Sequence, residues 1–296
     1  PSFLGDLFSR KESLVEGQHH IEETFKDVIL SKEDMSRVNQ IALATRNTKR
    51  SGAPYRHVLL YGPPGTGKTL IARKLAECSG MDYAIMSGGD VGPLGRDAVN
   101  QLHALFRWAS KSKKGLLVFI DESEAFLGAR ERQEGSENAH IRHALNALLY
   151  QTGTQSRSFM LVLATNRPEE LDAAILDRVD VSILIDVPVL PQRVDMVKLY
   201  LNSVVIKMAE ESNKKTMFGG KAAYCIDDEC SSDSTITSIA KKTEGFSGRE
   251  ISKLMISVQY AMLLDPNKRL TVKLLNEVLT AKLKEHNQKY EYTHMD

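Results

Sequence analysis

Cysteine is scarce in this sequence, long apolar runs are missing and neither sign of charge predominates. Three cysteines in 296 residues do not make the disulfide framework of a small secreted domain. The longest apolar runs, residues 115–120 and 159–164, have the length of strands and are too short to cross a membrane. A formal net charge of +1 argues against a dedicated nucleic-acid surface or a polybasic membrane patch. The composition is that of an ordinary globular protein with room for a large core.

The segment that organises the chain is Gly-Pro-Pro-Gly-Thr-Gly-Lys-Thr at residues 62–69. It follows an apolar strand candidate, 58–61, and opens into a segment with helical spacing, 70–76, which is the context of a phosphate-binding loop. Glycines let successive backbone N–H groups converge on phosphate oxygens, and the helix presents its positive end to them. Lys68 adds a charge for the β- and γ-phosphates of ATP, and the Thr69 hydroxyl is a predicted Mg²⁺ ligand. The predicted nucleotide contacts are Gly62, Pro63, Pro64, Gly65, Thr66, Gly67, Lys68, Thr69 and Leu70.

Apolar strand candidates alternate with helical patterns over the first two thirds of the chain. Strands are predicted near residues 81–86, 115–120, 159–164 and 181–187, with helices between them. This alternation predicts an α/β fold with a doubly wound parallel sheet flanked by helices. From Gln192 onward no strand signal remains and helical patterns follow, so we expect a small all-α lid domain.

The same patterns predict the domain boundaries. The chain begins at Pro1 rather than Met, so we expect a fragment or a processed form in which residues 1–24 are a linker. Residues 25–190 are predicted to form the nucleotide-binding core, and residues 191–296 the helical lid. Within the lid, the polar and acidic stretch near 207–233 is predicted to be a mobile surface insert.

Two of the predicted strands end in residues that have a chemical meaning beside a phosphate loop. Asp121, after the strand at 115–120, can hold the Mg²⁺ shell, and Glu122 can activate a water for attack on the γ-phosphate. In additional-strand P-loop ATPases a third strand lies between the phosphate-loop strand and the strand that ends in the acidic pair. This third strand offers a polar side chain to that water. Asn166, at the end of the strand at 159–164, is our candidate for this role. Without the phosphate loop, the same residues would be ordinary strand-end carboxylates and a turn asparagine.

These residues resemble the AAA ATPase pattern. The resemblance rests on GPPGTGKT, on IDE at 120–122, on ATNRP at 164–168 and on LDAAILDR at 171–178, and it extends from about Phe25 to the last helices. It implies an additional-strand P-loop (AAA+) sheet, a helical lid, and ATP and Mg²⁺ as ligands. One mitochondrial group, the ATPase family AAA domain-containing protein 3 group, is resembled more closely by YAIMSGGDVGPLGR (83–96), KKGLLVFIDESEAFL (113–127), HALNALLYQTG (143–153) and TEGFSGREI (243–251).

The resemblance implies further nucleotide contacts. Residues 25–30 match the segment that lies over adenine, so the backbone near Val28 and Ile29 would contact the base. Arg178 falls in the arginine-finger region and would reach the γ-phosphate held by a neighbouring subunit. That region usually offers two arginines, and here Asp177 precedes Arg178, which leaves one candidate.

Arg249 matches the sensor-2 position at the start of a lid helix and would contact the nucleotide. Ser247 and Glu250 by themselves make a helix-capping box that needs no function for the arginine. Both interpretations stay open at the level of sequence.

The resemblance also implies a place for the protein in the cell. Members of the group are anchored in the mitochondrial inner membrane and tied to nucleoid and cristae organisation, so we expect a homo-oligomer, a hexameric ring, whose membrane segment lies upstream of residue 1. No direct nucleic-acid binding is expected from this chain. A GTPase is disfavoured because no Asn-Lys-x-Asp motif occurs, and a metalloprotease because no His-Glu-x-x-His occurs.

Two functions of different class fit the pattern. The first is a ring-forming motor that couples ATP hydrolysis to remodelling of protein assemblies. The second is a nucleotide-gated oligomeric scaffold in which hydrolysis only resets assembly. The loop that usually places an aromatic residue in the central pore here contains Val91-Gly92-Pro93-Leu94-Gly95, which favours the scaffold, because grip on an unfolded polypeptide relies on large side chains.

Overall fold

A computed structural model describes residues 20–90, 97–128, 139–216 and 223–293 of the chain. The chain divides into two compact units, Pro1–Asp186 and Val187–Asp296. No helix within the described ranges is both long enough and apolar enough to span a bilayer.

The first unit is an alternation of strands and helices. Its elements are α1 (Lys32–Ser51), β1 (Val58–Tyr61), α2 (Lys68–Ser79), β2 (Asp82–Ser87), α3 (Ala98–Lys111), β3 (Leu116–Asp121), α4 (Glu124–Leu127), α5 (Ala139–Gln151), β4 (Phe159–Thr165), α6 (Ala173–Leu176) and β5 (Val181–Leu184). The five strands form one parallel sheet in the order β2-β3-β4-β1-β5. The predicted α/β class is confirmed, and β4 is the additional strand between β1 and β3.

Helices cover both faces of this sheet because successive strand residues point to opposite sides. In β3, Leu117 and Phe119 pack with α1 and α2, whereas Leu116, Val118 and Ile120 pack with α3 and α5. Each face has its own cluster of buried apolar side chains, so the carboxyl ends of the strands lie between two helical layers. That edge of the sheet carries the candidate site.

The start of the first unit differs from the predicted linker. Residues 20–25 are helical, and Ile21 and Phe25 are buried in the cluster that α1 and α2 form with the sheet. These two side chains are four residues apart and therefore share one helix face. The linker prediction for residues 1–24 is wrong over residues 20–24, and residues 1–19 lie outside the described part. Helix α1 begins after Ser31, whose side chain caps it by accepting a hydrogen bond from the Asp34 N–H at 3.0 Å.

The second unit is mainly helical. Its elements are α7 (Leu190–Tyr200), a π-helical segment (Leu201–Ile206), α8 (Lys207–Thr216), β6 (Cys225–Ile226), a 3₁₀ turn (Asp228–Ser231), α9 (Asp233–Lys242), α10 (Gly248–Leu264), β7 (Arg269–Leu270) and α11 (Val272–Thr293).

Two predictions for this unit need correction. The strands β6 and β7 pair in parallel, although no strand was expected after Gln192. Each strand has two residues, which are too few to produce a periodic signal in the sequence. A hydrogen bond from Arg269 Nε, in β7, to Asp227 Oδ1, next to β6, joins the two strands at 2.7 Å. The prediction of a surface insert near 207–233 is also wrong in its described parts, because α8 begins at Lys207 and the Cys230 side chain is fully buried. Residues 217–222 lie outside the described ranges.

Candidate nucleotide-binding and hydrolysis site

The loop between β1 and α2 takes a shape that requires its glycines. Gly62, Gly65 and Gly67 have φ angles of 138°, 79° and 106°, a region that residues with a Cβ seldom adopt. A Cβ on Gly62 would stand 2.3 Å from the carbonyl oxygen of Ile185, the residue that follows β5. Any other residue at position 62 would therefore push the loop away from the sheet.

The Lys68 side chain lies inside this loop. It is only 6% exposed, and its Nζ donates hydrogen bonds to the carbonyl oxygens of Gly62 and Pro63, each at 2.7 Å. Thr66 closes the loop with a hydrogen bond from its hydroxyl to the Pro63 oxygen at 2.9 Å. The positive charge and the start of α2 therefore lie together, which suits an anionic ligand such as a phosphate.

The two predicted Mg²⁺ ligands are in direct contact. The Thr69 hydroxyl donates a hydrogen bond to Oδ2 of Asp121 at 2.6 Å, and Oδ1 of Asp121 accepts one from the Glu122 N–H at 3.0 Å. Thr69 is the second residue of α2 and Asp121 is the last residue of β3, so the fold brings together residues that are 52 positions apart. A hydroxyl and a carboxylate are oxygen donors of the kind that Mg²⁺ prefers, and these residues fit that ion.

Glu122 occupies a strained backbone position next to this pair. Its φ is 48°, one of two positive values among the described non-glycine residues. A Cβ on Gly88 would stand 2.3 Å from the Glu122 carbonyl oxygen and 3.2 Å from the Phe126 nitrogen. Left-handed φ in a non-glycine residue costs about 1 kcal/mol or more and occurs often at functional sites. This strained turn sets the orientation of Glu122. It can form only because residue 88 has no side chain.

Ser87 and Gly88 were missed as site residues by the sequence reasoning. The Ser87 hydroxyl donates a hydrogen bond to Oε2 of Glu122 at 3.4 Å. The predicted strand ended near residue 86, yet Ser87 ends β2, and β2 is the neighbour of β3. The sequence signal for Ser87 was a polar residue at the carboxyl end of a strand. That signal points to the site only if β2 is known to lie beside β3.

A second missed group ties the end of β3 to the end of β4. The N–H and the hydroxyl of Ser123 both donate to the Ala164 carbonyl oxygen, each at 2.9 Å. The Thr165 hydroxyl donates to Oε2 of Glu124 at 2.6 Å and accepts a hydrogen bond from the Arg167 N–H at 2.9 Å. The backbone on either side of residue 166 is therefore fixed relative to the turn that carries Glu122.

Asn166 and Arg178 lie in the first unit, but neither is bonded to the pair of Thr69 and Asp121. Asn166 is exposed just after β4, and its side chain has no hydrogen-bond partner among the described residues. Arg178 follows α6 and folds back on it, and its Nη1 donates a hydrogen bond to the Ala174 carbonyl oxygen at 2.5 Å. Its Nε is buried and has no partner within the described ranges. Their roles stay predictions.

The predicted adenine segment is packed into the core. The Val28 side chain is only 8% exposed, and its N–H donates to the Phe25 carbonyl oxygen at 2.9 Å; Ile29 is partly buried. Leu70, in the first turn of α2, is 40% exposed. A contact of the base with the backbone near Val28 and Ile29 stays a prediction. The pore-loop prediction falls on residues 91–95, which lie outside the described residues.

Arg249 belongs to the second unit. It is the second residue of α10 and is exposed. The capping box around it is confirmed: Ser247 Oγ accepts from the Glu250 N–H at 3.4 Å, and Glu250 Oε2 accepts from the Ser247 N–H at 2.9 Å. The box explains the start of the helix without using Arg249, so a nucleotide contact of Arg249 stays a prediction.

Comparison with known proteins agrees with this geometry. Residues 58–187 match the family described as ATPase family associated with various cellular activities (AAA). That range contains the phosphate loop, the acidic residues at the end of β3 and all five strands of the sheet. Residues 58–187 therefore form an AAA domain.

Within that family, the chain is similar to proteins of one name. It is 46% identical to the ATPase family AAA domain-containing protein 3-A of Xenopus laevis over 91% of this chain and 44% of that protein. It is 43% identical to the human ATPase family AAA domain-containing protein 3A over 96% of this chain and 45% of that protein. It is 39% identical to the Drosophila melanogaster homolog of 3A over 98% of this chain and 48% of that protein. The chain thus spans less than half the length of these relatives.

Proposed function

We propose that this chain binds ATP with Mg²⁺ and hydrolyses it to ADP and phosphate. The observation that carries the proposal is the 2.6 Å hydrogen bond from Thr69 to Asp121, because it places the start of the phosphate-loop helix against the acidic end of β3. Glu122 follows Asp121 directly. The word ATPase in the names of the similar proteins supports the same activity.

Each residue has a defined task in this reaction. The loop N–H groups and Lys68 hold the β- and γ-phosphates, and Thr69 and Asp121 hold the Mg²⁺. Bound Mg²⁺ supplies neutralisation of the phosphate charge. Glu122 accepts a proton from water as the water oxygen bonds to the γ-phosphorus, and the bond from that phosphorus to the bridging oxygen breaks to release ADP. Asn166 orients the water.

We further propose a homo-oligomeric, hexameric ring in which Arg178 completes the site of the next subunit. An arginine at such a position stabilises the charge of the transition state. Arg178 lies two residues after the short helix α6. The ring would remodel or organise protein assemblies at the mitochondrial inner membrane, held there by a segment upstream of residue 1; this part rests on the resemblance alone.

The second candidate is a scaffold whose assembly depends on bound nucleotide. It is favoured by the sequence of the pore loop at 91–95, which has no aromatic side chain. The two functions differ in their response to an unfolded polypeptide. Addition of an unfolded protein should stimulate the ATPase of a threading motor, and it should leave that of a scaffold unchanged.

The Mg²⁺ dependence of turnover tests the proposed site. Thr69→Val removes the hydroxyl and keeps the shape of the side chain, and Thr69→Ser keeps the hydroxyl. We expect Thr69→Val to raise the Mg²⁺ concentration for half-maximal phosphate release by about tenfold or more, and Thr69→Ser to stay near wild type. An unchanged Mg²⁺ requirement in Thr69→Val would exclude Thr69 as a ligand.

A further inference from the structure

An open cavity lies at the amino ends of the strands, on the edge of the sheet opposite to the phosphate loop. Its volume is about 370 Å³, which is within the range of small-molecule sites. It is bounded by the carboxyl ends of α1 and α3 and by the residues that precede β3 and β4. All of its lining residues belong to the first unit. The cavity is therefore separate from the residues proposed for ATP hydrolysis.

A tyrosine hydroxyl lies at this cavity without a partner in the described part of the protein. The Tyr55 ring packs in the apolar cluster that α1 and α2 form with the sheet, and the residue is only 6% exposed. Its Oη would stand 3.0 Å from a Cβ on Gly115, which also lines the cavity, and no described residue forms a hydrogen bond with it. Burial raises the pKa of Tyr55, so the hydroxyl keeps its proton at neutral pH and is a donor. Since a buried hydroxyl without a partner is costly, its partner is expected to enter through the cavity.

Two basic side chains and a second hydroxyl line the same cavity. Lys113 follows α3 and Arg157 precedes β4, and neither side chain has an ion pair or a hydrogen bond within the described ranges. Ser156 Oγ accepts hydrogen bonds from the N–H groups of Ser158 and Phe159, at 3.2 and 3.1 Å. Its own proton is therefore directed to Ser158 Oγ, 3.3 Å away, and the proton of the Ser158 hydroxyl is left for a ligand.

The helix ends at this edge do not account for all of these groups. The carboxyl ends of α1 and α3 carry partial negative charge, which basic residues near a helix end offset. Both ends are already capped, α1 by Gly52 in the left-handed conformation and α3 by the Ser112 N–H, which donates to the carbonyl oxygens of Trp108 and Ala109. Arg157 lies in the connection between α5 and β4, away from the ends of α1 and α3 in the chain, so helix capping gives it no role.

We propose that this cavity binds a phosphate group, carried by a soluble small molecule or by a lipid headgroup. The hydroxyls of Tyr55 and Ser158 donate hydrogen bonds to its oxygens, and Lys113 and Arg157 balance its charge. A phosphate monoester presents several terminal oxygens in a tetrahedral arrangement, which suits donors from different sides better than a planar carboxylate does. This site is independent of the proposed ATPase reaction, so either can fail without the other.

Substitutions with matched controls separate a built site from general positive charge. Tyr55→Phe removes only the hydroxyl and keeps the ring in the core. Lys113→Gln and Arg157→Gln each remove one charge from the exposed rim of the cavity. The controls are Tyr150→Phe and Lys111→Gln, which make the corresponding changes on exposed residues that do not line the cavity.

The experiment is a titration of the protein with inorganic phosphate, followed by the backbone N–H signals of Gly52, Gly115 and Ser158 in NMR spectra. These three residues line the cavity, so their signals report on it directly, and phosphate bound at residues 62–69 does not enter the measurement. We expect the three signals of the wild-type protein to shift and to reach saturation together.

The variants should divide into two groups. Arg157→Gln should weaken the phosphate affinity about tenfold, and Tyr55→Phe and Lys113→Gln about fivefold each, because each loses a contact with a charged ligand. Tyr150→Phe and Lys111→Gln should stay within about twofold of wild type, because distant exposed groups are screened. Melting temperatures show whether each variant is folded, and the two rim variants keep the test valid if Tyr55→Phe does not fold.

Vesicles distinguish the two carriers of the phosphate group. Phosphatidylcholine vesicles that contain phosphatidic acid present a phosphate monoester, whereas those that contain phosphatidylserine present negative charge without one. Sedimentation with the first kind only, lost in Arg157→Gln, would support the site and assign its phosphate to a lipid. Saturable binding of inorganic phosphate without sedimentation would support the site and assign the phosphate to a soluble molecule.

Two results would overturn the proposal. The first is the absence of a saturable shift of the three cavity signals in the wild-type protein, which would mean that only water meets the Tyr55 hydroxyl. The second is an equal loss of phosphate affinity in Lys113→Gln and Lys111→Gln together with wild-type affinity in Tyr55→Phe. The binding would then come from diffuse surface charge and would not need the cavity.

Discussion

Gly88 lies so close to Glu122 that a Cβ at position 88 would stand 2.3 Å from the Glu122 carbonyl oxygen. Each residue directly follows a strand, Gly88 after β2 and Glu122 after β3, and these two strands are neighbours in the sheet. Since Glu122 already has a φ of 48°, it has little room to move without leaving this conformation. The position of Glu122, the proposed base, thus depends on Gly88, which lies in the loop after a different strand, β2.

The first prediction follows from this contact. Gly88→Ala should displace Glu122, so we expect kcat to fall by about tenfold or more while the affinity for ATP changes little. Gly89→Ala is the matched control, because among the described residues a Cβ at position 89 would meet only the Ser87 hydroxyl, at 3.8 Å. Steady-state phosphate release and nucleotide binding measure the two effects. Equal kcat values for the two variants would show that the close approach does not set the position of Glu122.

The second prediction concerns Arg178. If it acts on the nucleotide of a neighbouring subunit, Arg178→Ala should leave ATP affinity nearly intact and lower hydrolysis by about three orders of magnitude. Mixing Arg178→Ala subunits with Glu122→Gln subunits should restore part of the activity, because some interfaces then combine an intact finger with an intact base. Failure of every mixture, under conditions in which wild-type subunits exchange, would argue against action across an interface.

The third prediction concerns His57, which is buried just before β1. Its Nδ1 accepts a hydrogen bond from the Leu161 N–H at 3.1 Å, so the ring is neutral there, and burial lowers the pKa of His57 despite the nearby Asp180. A depressed histidine pKa means that the unfolded chain takes up the proton first. Stability should therefore be complete above the unfolded pKa of about 6.5 and fall as the pH drops below it.

His57→Asn tests this pH dependence because asparagine can accept the same hydrogen bond and does not titrate. We expect the variant to melt at a lower temperature than wild type near neutral pH, since it loses the stacking of His57 on Phe159. Between about pH 7.5 and about pH 5.5 its melting temperature should fall less than that of wild type. Equal falls in the two proteins would mean that His57 does not contribute to the acid sensitivity.

Local signals allowed most of the site to be predicted. Gly62 to Thr69 form one contiguous motif between a strand and a helix, and Asp121 and Glu122 follow a fully apolar run, so both could be identified without knowledge of the fold. Asn166 was predicted from the general pattern of additional-strand P-loop ATPases, in which the third strand ends in a polar side chain. The contact of Thr69 with Asp121 is the part of the prediction that the geometry supports most directly.

What could not be predicted depends on contacts between distant parts of the chain. Ser123 bonds to Ala164, 41 residues later, and neither residue type has a signal of its own. The close approach of Gly88 to Glu122 needs the pairing of β2 with β3. In the second unit, His286 and Glu250 are 36 residues apart, and an isolated histidine in a helical pattern gives no reason to expect a partner.

The central claim is that Glu122 prepares the attacking water while the phosphate loop only binds. Glu122→Gln should bind ATP within about threefold of wild type and lose turnover by at least about a hundredfold. Lys68→Ala should lose binding itself. Glu77→Gln, the same change on an exposed residue of α2, should behave as wild type. The decisive measurement is steady-state phosphate release by Glu122→Gln at saturating Mg-ATP: the account predicts near-complete loss with ATP still bound, and a near-normal rate would contradict it.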